Sequence, residues 1–348
     1  MFAHSAALAF LSLSAGASAL RSRAAATPKV NPDLADAVSS WPFPAIWSED
    51  VLPTINSQLN QIYTADYVLS GLSVSHEEYN FTSYDNYTST LSVFTPDSLS
   101  GQTDRRFVYY IHGGGLVAGN RFFGIDFIMP TIEALNAVLI SVEYRLAPDH
   151  PAPAAIQDVY AGLTWTVDHA ETLGLNASNA IAWGTSAGGG LTAALGMMVR
   201  DKKPAGVSLN GLLMHYPMLD NAIPAEEKSL FTGESAPVWS SESDTIAWNA
   251  YLGSNPSSTT TNNPYLVPAR ATDLSNLPPV FIDVGSAELF RKPALTFAEG
   301  IWEAGGLVEV HVTSGGYHGS DLLAPTAPVS ERVINARKTW AMDVLSVV

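Results

Sequence analysis

Apolar residues in this chain fall into short unbroken runs, separated by longer stretches where they recur every three to four positions. The runs 107–111, 137–143, 180–183, 209–214, 279–284 and 307–312 read as strands, several of them rich in β-branched and aromatic residues. Stretches near 154–172, 187–200, 292–304 and 329–345 read as helices. Strands alternating with helices imply a mostly parallel sheet flanked by helices, hence an α/β fold. Before Phe107, the stretch 67–80 and Leu91-Ser92-Val93-Phe94 read as antiparallel edge strands.

Two segments break the alternation. In 31–64, Leu52, Ile55, Leu59 and Ile62 recur at helical spacing after Trp41-Pro42-Phe43-Pro44 and Trp47. The second, 221–265, is inserted between strands and contains Trp239, Trp248 and Tyr251. Together they predict a small helical cap. Its aromatic residues either wall an acyl or aryl pocket or only pack the cap onto the core. The expected organisation is an N-terminal cap segment 20–64, a first core part 65–220, a cap insertion 221–265 and a second core part 266–348. With 348 residues, 47% of them hydrophobic, the chain can bury a core of that size.

Candidate chemistry sits where strands end. Ala180-Ile181-Ala182-Trp183 runs into Gly184-Thr185-Ser186-Ala187-Gly188, a pattern that holds a nucleophilic serine on a sharp strand-to-helix turn. Arg106–Ile111 runs into His112-Gly113-Gly114-Gly115. Acyl transfer builds negative charge on a carbonyl oxygen, and fixed backbone N–H groups stabilise it. The amides of Gly113, Gly114 and Ala187 are therefore assigned to an oxyanion hole, with His112 bracing the loop. Taken alone, the glycines read equally as a turn leaving a strand. Further on, Glu288 follows the run 279–284, and His318 lies in the glycine-flanked loop after 307–312. Their order fits an acid that orients a histidine base. His311 and His169 are explained by packing or exposure, Asp283 by a structural partner, and Asp321 lies too close behind His318 to reach its far nitrogen.

With these residues in view, the chain resembles the hormone-sensitive lipase family of α/β-hydrolase esterases. The resemblance rests on the His112–Gly115 loop, Tyr144-Arg145-Leu146-Ala147-Pro148 with Pro151 to Ala154 and Asp158, the Ser186 turn, the Gly285–Arg291 loop and Tyr317-His318-Gly319. It implies an α/β-hydrolase fold with Ser186, Glu288 and His318 as the catalytic triad. Thr185 and Glu288 stand where many members carry aspartate, which bears on substrate preference more than on chemistry. The resemblance also favours small soluble esters over long triglycerides.

A formal charge of −16 argues against nucleic acid as a partner. There is no cysteine, no His-x-x-x-His pair and no calcium-type loop, so no metal is expected, and no dinucleotide fingerprint is present. Ala6–Leu13 with Ala17-Ser18-Ala19 reads as a signal peptide within 1–19, too short for a stable membrane span. Sequons at Asn80, Asn86 and Asn176 agree with secretion and glycosylation, the alternative being a cytoplasmic enzyme with an apolar tail. The expected activity is that of a serine carboxylic-ester hydrolase, without cofactor, acting on small to medium apolar esters. A dedicated secondary-metabolism hydrolase, thioesterase, deacetylase, acyltransferase or cyclase would use the same triad. A non-catalytic ligand-binding receptor is the third alternative.

Overall fold

In the computed structural model, which describes residues 26–253 and 256–346, eight strands form one sheet. In chain order they are β1 (Val74–Thr82), β2 (Thr88–Pro96), β3 (Arg105–Ile111), β4 (Val138–Val142), β5 (Leu175–Thr185), β6 (Gly211–His215), β7 (Val280–Gly285) and β8 (Val308–Thr313). Across the sheet they lie in the order β1-β2-β4-β3-β5-β6-β7-β8. β1 pairs antiparallel with β2, and β2 with β4. All pairs from β4 to β8 are parallel.

Helical crossovers cover both faces of a parallel sheet, which is why its inner strands are mostly apolar, with buried Ser141, His215 and Asp283 among the exceptions. Successive side chains alternate between the faces. Tyr109, Ala182, Leu212 and Ile282 enter one core, beneath helices Ala154–Asp168, Ala187–Lys202 and Arg291–Glu303. Tyr110, Trp183, Leu213 and Phe281 enter the other, beneath Ile125–Ala134 and Pro328–Ser346. β8 closes the sheet and is only half-buried.

Two elements differ from expectation. Residues 67–80 do not make one strand: Ala65–Leu69 is a short helix, its Thr64 cap accepting from the Tyr67 N–H at 3.3 Å, and β1 starts at Val74. Helix Ile125–Ala134 was not anticipated. Pro130 lies inside it and removes a backbone donor. Ile125, Ile128, Met129 and Ile132 nevertheless share one buried stripe, and their packing holds the helix together.

The segments 31–64 and 221–265 touch each other. The N–H of Trp47 donates to Ser243 Oγ at 2.9 Å, and the Trp47 and Trp239 rings meet edge to face with centroids 5.4 Å apart. Residues 1–25, with the expected signal peptide, lie outside the described residues. No helix of the described residues is long and apolar enough to cross a membrane. Of the sequon asparagines, Asn80 and Asn86 are exposed and Asn176 is half-buried.

Helix Ser241–Leu252 carries the fully buried Asp244, neither of whose carboxyl oxygens makes a well-formed hydrogen bond among the described residues. Burial pushes this carboxyl up to about 7, against the pull of Lys228 and the nearby Trp239 and Trp248 indoles. An acid raised in the folded state keeps a proton that the unfolded chain has already released. Stability is therefore complete below the unfolded value near 4 and is lost as pH rises through about 7. Asp244→Asn is expected to remove this loss, a gain at pH 8 of at most about 4 kcal/mol relative to wild type. Urea midpoints of both proteins at pH 4 and pH 8 measure it. Parallel pH dependences would refute the assignment.

Candidate active site

β5 ends at Thr185 and the next helix begins at Ala187, which leaves Ser186 alone at φ 58° and ψ −117°. That backbone is strained for a residue with a side chain, and its surroundings fix it. The Ser186 N–H donates to the His215 carbonyl at 2.8 Å, while its own carbonyl accepts from the Met218 N–H at 3.0 Å. Flanking glycines make the turn sterically feasible. A Cβ on Gly184 would stand 2.0 Å from the Gly188 carbonyl oxygen, and one on Gly188 would stand 2.0 Å from that of Ile111.

Three further loops converge here, each leaving the carboxyl end of a parallel strand. Ser186 Oγ lies 2.9 Å from His318 Nε2. His318 Nδ1 lies 2.7 Å from Glu288 Oε2, and Glu288 Oε1 accepts from the Gly285 N–H at 2.6 Å. A carboxylate at Nδ1 fixes the tautomer in which Nε2 offers a lone pair to the serine hydroxyl. All three side chains are buried. The crossover from β3 to β4 runs over one face of the sheet and that from β4 to β5 over the other. The site thus lies at the topological switch point, where open α/β sheets leave a crevice.

The glycine loop forms the facing wall. A Cβ on Gly113 would lie 3.3 Å from that of Ser186, so the loop backbone runs directly against the serine. The N–H groups of Gly113, Gly114 and Ala187 have no acceptor among the described residues. His112 is buried, stacks on Tyr144 with centroids 4.1 Å apart, and donates from Nδ1 to the Gly113 carbonyl at 2.7 Å. Burial pushes His112 down to about 3, so it is neutral and braces the loop. Tyr144 donates its hydroxyl to the His112 carbonyl at 2.8 Å. Next to it, Arg145 makes two 2.8 Å contacts with Asp158, the ion pair that anchors this turn.

The rival residues have other partners. Asp283 accepts from Arg337 Nε at 2.5 Å, and Asp321 accepts from the same guanidinium. His215 Nε2 lies 3.0 Å from Asp321. His311 pairs with Glu309 at 2.7 Å, and His169 Nδ1 donates to the Trp165 carbonyl at 2.8 Å. No group of three metal-ligating side chains occurs among the described residues.

A pocket opens over Ser186 and His318. Trp41 and Trp47 of 31–64 and Trp239 of 221–265 line it, whereas Trp248 and Tyr251 are buried away from it. Sequence reading missed Tyr63, Phe123, Asp126, Phe127 and Tyr216, which also line it. The Pro130-containing helix that carries Asp126 and Phe127 hid two of them.

A family model described as alpha/beta hydrolase fold matches residues 108–322, from β3 to just beyond His318. The chain belongs to the α/β-hydrolase family. Its resemblance to the hormone-sensitive lipase type of esterase holds. This α/β-hydrolase is 30% identical over 314 residues to carboxylesterase NlhH of Mycobacterium tuberculosis, covering 88% of this chain and 93% of that one. It is 29% identical over 249 residues to esterase LipI of the same species, covering 70% and 74%. Among solved structures, a bacterial heroin esterase superposes with a TM-score of 0.82 at 30% identity, covering 92% of this chain and 99% of the other. A fungal esterase from Rhizomucor miehei superposes at 0.77 with 25% identity, covering 92% and 98%. The α/β-hydrolase described here is a carboxylesterase-type hydrolase.

Proposed function

We propose that this carboxylesterase cleaves small to medium apolar esters through Ser186, His318 and Glu288. The observation that carries the reading is the continuous chain of contacts, 2.9 Å from serine to histidine and 2.7 Å from histidine to glutamate. His318 Nε2 takes the hydroxyl proton as Ser186 Oγ attacks the ester carbonyl carbon. The amides of Gly113, Gly114 and Ala187 stabilise the oxyanion, and Glu288 stabilises the protonated imidazole. The C–O bond to the alcohol then breaks and His318 returns its proton to the leaving oxygen. Water, deprotonated by the same nitrogen, attacks the acyl-serine, and the acid leaves with Ser186 restored.

The pocket over Ser186 is walled mostly by aromatic and aliphatic side chains, which suits an apolar acyl or alcohol group. A fluorophosphonate probe combined with p-nitrophenyl esters of increasing acyl length tests both halves of the reading. Label is expected on Ser186 alone, with turnover best on short acyl chains. Label elsewhere would remove the nucleophile. Cleavage of one thioester while simple esters stay intact would favour a dedicated enzyme using the same triad.

A further inference from the structure

We propose that the pocket selects esters bearing a positively charged group, such as a quaternary or protonated amine, and that Asp126 is the residue that recognises it. The proposal rests on the ester chemistry at Ser186 set out above. Asp126 is the one carboxylate along a wall otherwise made of aromatic, aliphatic and small residues with His318 and Thr185. It is exposed while lining the pocket, which places it where the cavity opens to solvent. Aromatic side chains line the same pocket. Phe127 is its chain neighbour. Tyr63 meets Phe123 edge-on at 4.7 Å and Tyr67 at 5.6 Å, and the Asp126 charge, after burial, helps raise both phenols.

Among the described residues Asp126 takes part in no ion pair. Burial raises its carboxyl. Only neutral donors oppose this: the Phe127 N–H, its own N–H and the Tyr67 hydroxyl. A carboxylate left without a cation, beside aromatic rings and partly shielded from water, complements an ammonium group. Coulomb attraction and the ring quadrupoles both favour that ligand. A neutral ester of the same shape gains neither term. Asp126 also sits in the first turn of helix Ile125–Ala134, where any acid is mildly stabilising. That role explains the residue type but predicts no discrimination between substrates.

Acetylcholine and 3,3-dimethylbutyl acetate share a shape and differ in one permanent charge, so the ratio of their kcat/KM values isolates recognition of that charge. Wild type is expected to favour acetylcholine by about tenfold. Asp126→Asn should bring the ratio close to one. Asp343→Asn removes one charge from an exposed position outside the pocket walls and should leave the wild-type ratio in place, which separates Asp126 from the general field of an acidic protein. A wild-type ratio of one or below, or a ratio that survives Asp126→Asn, would overturn the proposal. So would inertness towards both acetates in a preparation that cleaves p-nitrophenyl acetate. Failure on p-nitrophenyl acetate as well would instead overturn the ester chemistry beneath it.

Discussion

Ser186→Ala is expected to lower kcat for p-nitrophenyl acetate by about four orders of magnitude, with the fold intact. Alanine keeps the Cβ and the strained φ of 58°, so the turn and its hydrogen bonds to His215 and Met218 survive. What disappears is the oxygen 2.9 Å from His318 Nε2. A residual rate above water should persist, because the amides of Gly113, Gly114 and Ala187 still meet a carbonyl oxygen. Residues acting as one unit are not additive, so Ser186→Ala/His318→Ala should be no slower than Ser186→Ala alone. Turnover above a tenth of wild type by the single variant would mean that another group attacks the ester.

Arg337→Met is expected to cost about 3–5 kcal/mol of stability at pH 7. The guanidinium is buried between Asp283, at 2.5 Å, and Asp321. Methionine would fill part of the space but leave two buried carboxylates facing each other with only His215 beside Asp321. In the native protein, burial by itself would raise the Asp321 carboxyl. Arg337 and His215 overcome that and hold it far below the usual range. A carboxyl depressed by folding contributes stability above its unfolded value near 4 and loses it as pH falls towards the folded one. The penalty of Arg337→Met should therefore be largest at neutral pH and shrink below about pH 4. Urea unfolding across that range measures it. A pH-independent loss would point to packing alone. Because Asp321 lies shortly after His318, the variant should also loosen the loop that aims the imidazole.

Sequence pattern carried much of this structure because the rules involved are local. The apolar runs of β3, β5, β6 and β7 announced doubly covered strands, since burial on both faces admits a polar side chain only where a partner meets it, as at His215 and Asp283. Gly184 and Gly188 announced the turn around Ser186 because a Cβ at either would strike backbone within a few residues or in the adjacent strand. Helix Ile125–Ala134 escaped notice because Pro130 is a local signal against a helix, whereas the burial of Ile128 and Ile132 that outweighs it comes from sheet residues distant in sequence.

By itself, then, the chain determined where strands end, where a strained serine sits and in which order an acid and a histidine follow. Those features depend on backbone sterics and on side-chain period, which act over a handful of residues. Tertiary structure decided which carboxylate meets which cation: Glu288 faces His318 across 30 positions, while Asp283 and Asp321 share Arg337. It also decided that Trp239 enters the pocket while Trp248 does not, and that Asp126 lines it without a cationic partner among the described residues. Such pairings are set by the distances between strand ends after the sheet has formed, and no local pattern encodes those distances.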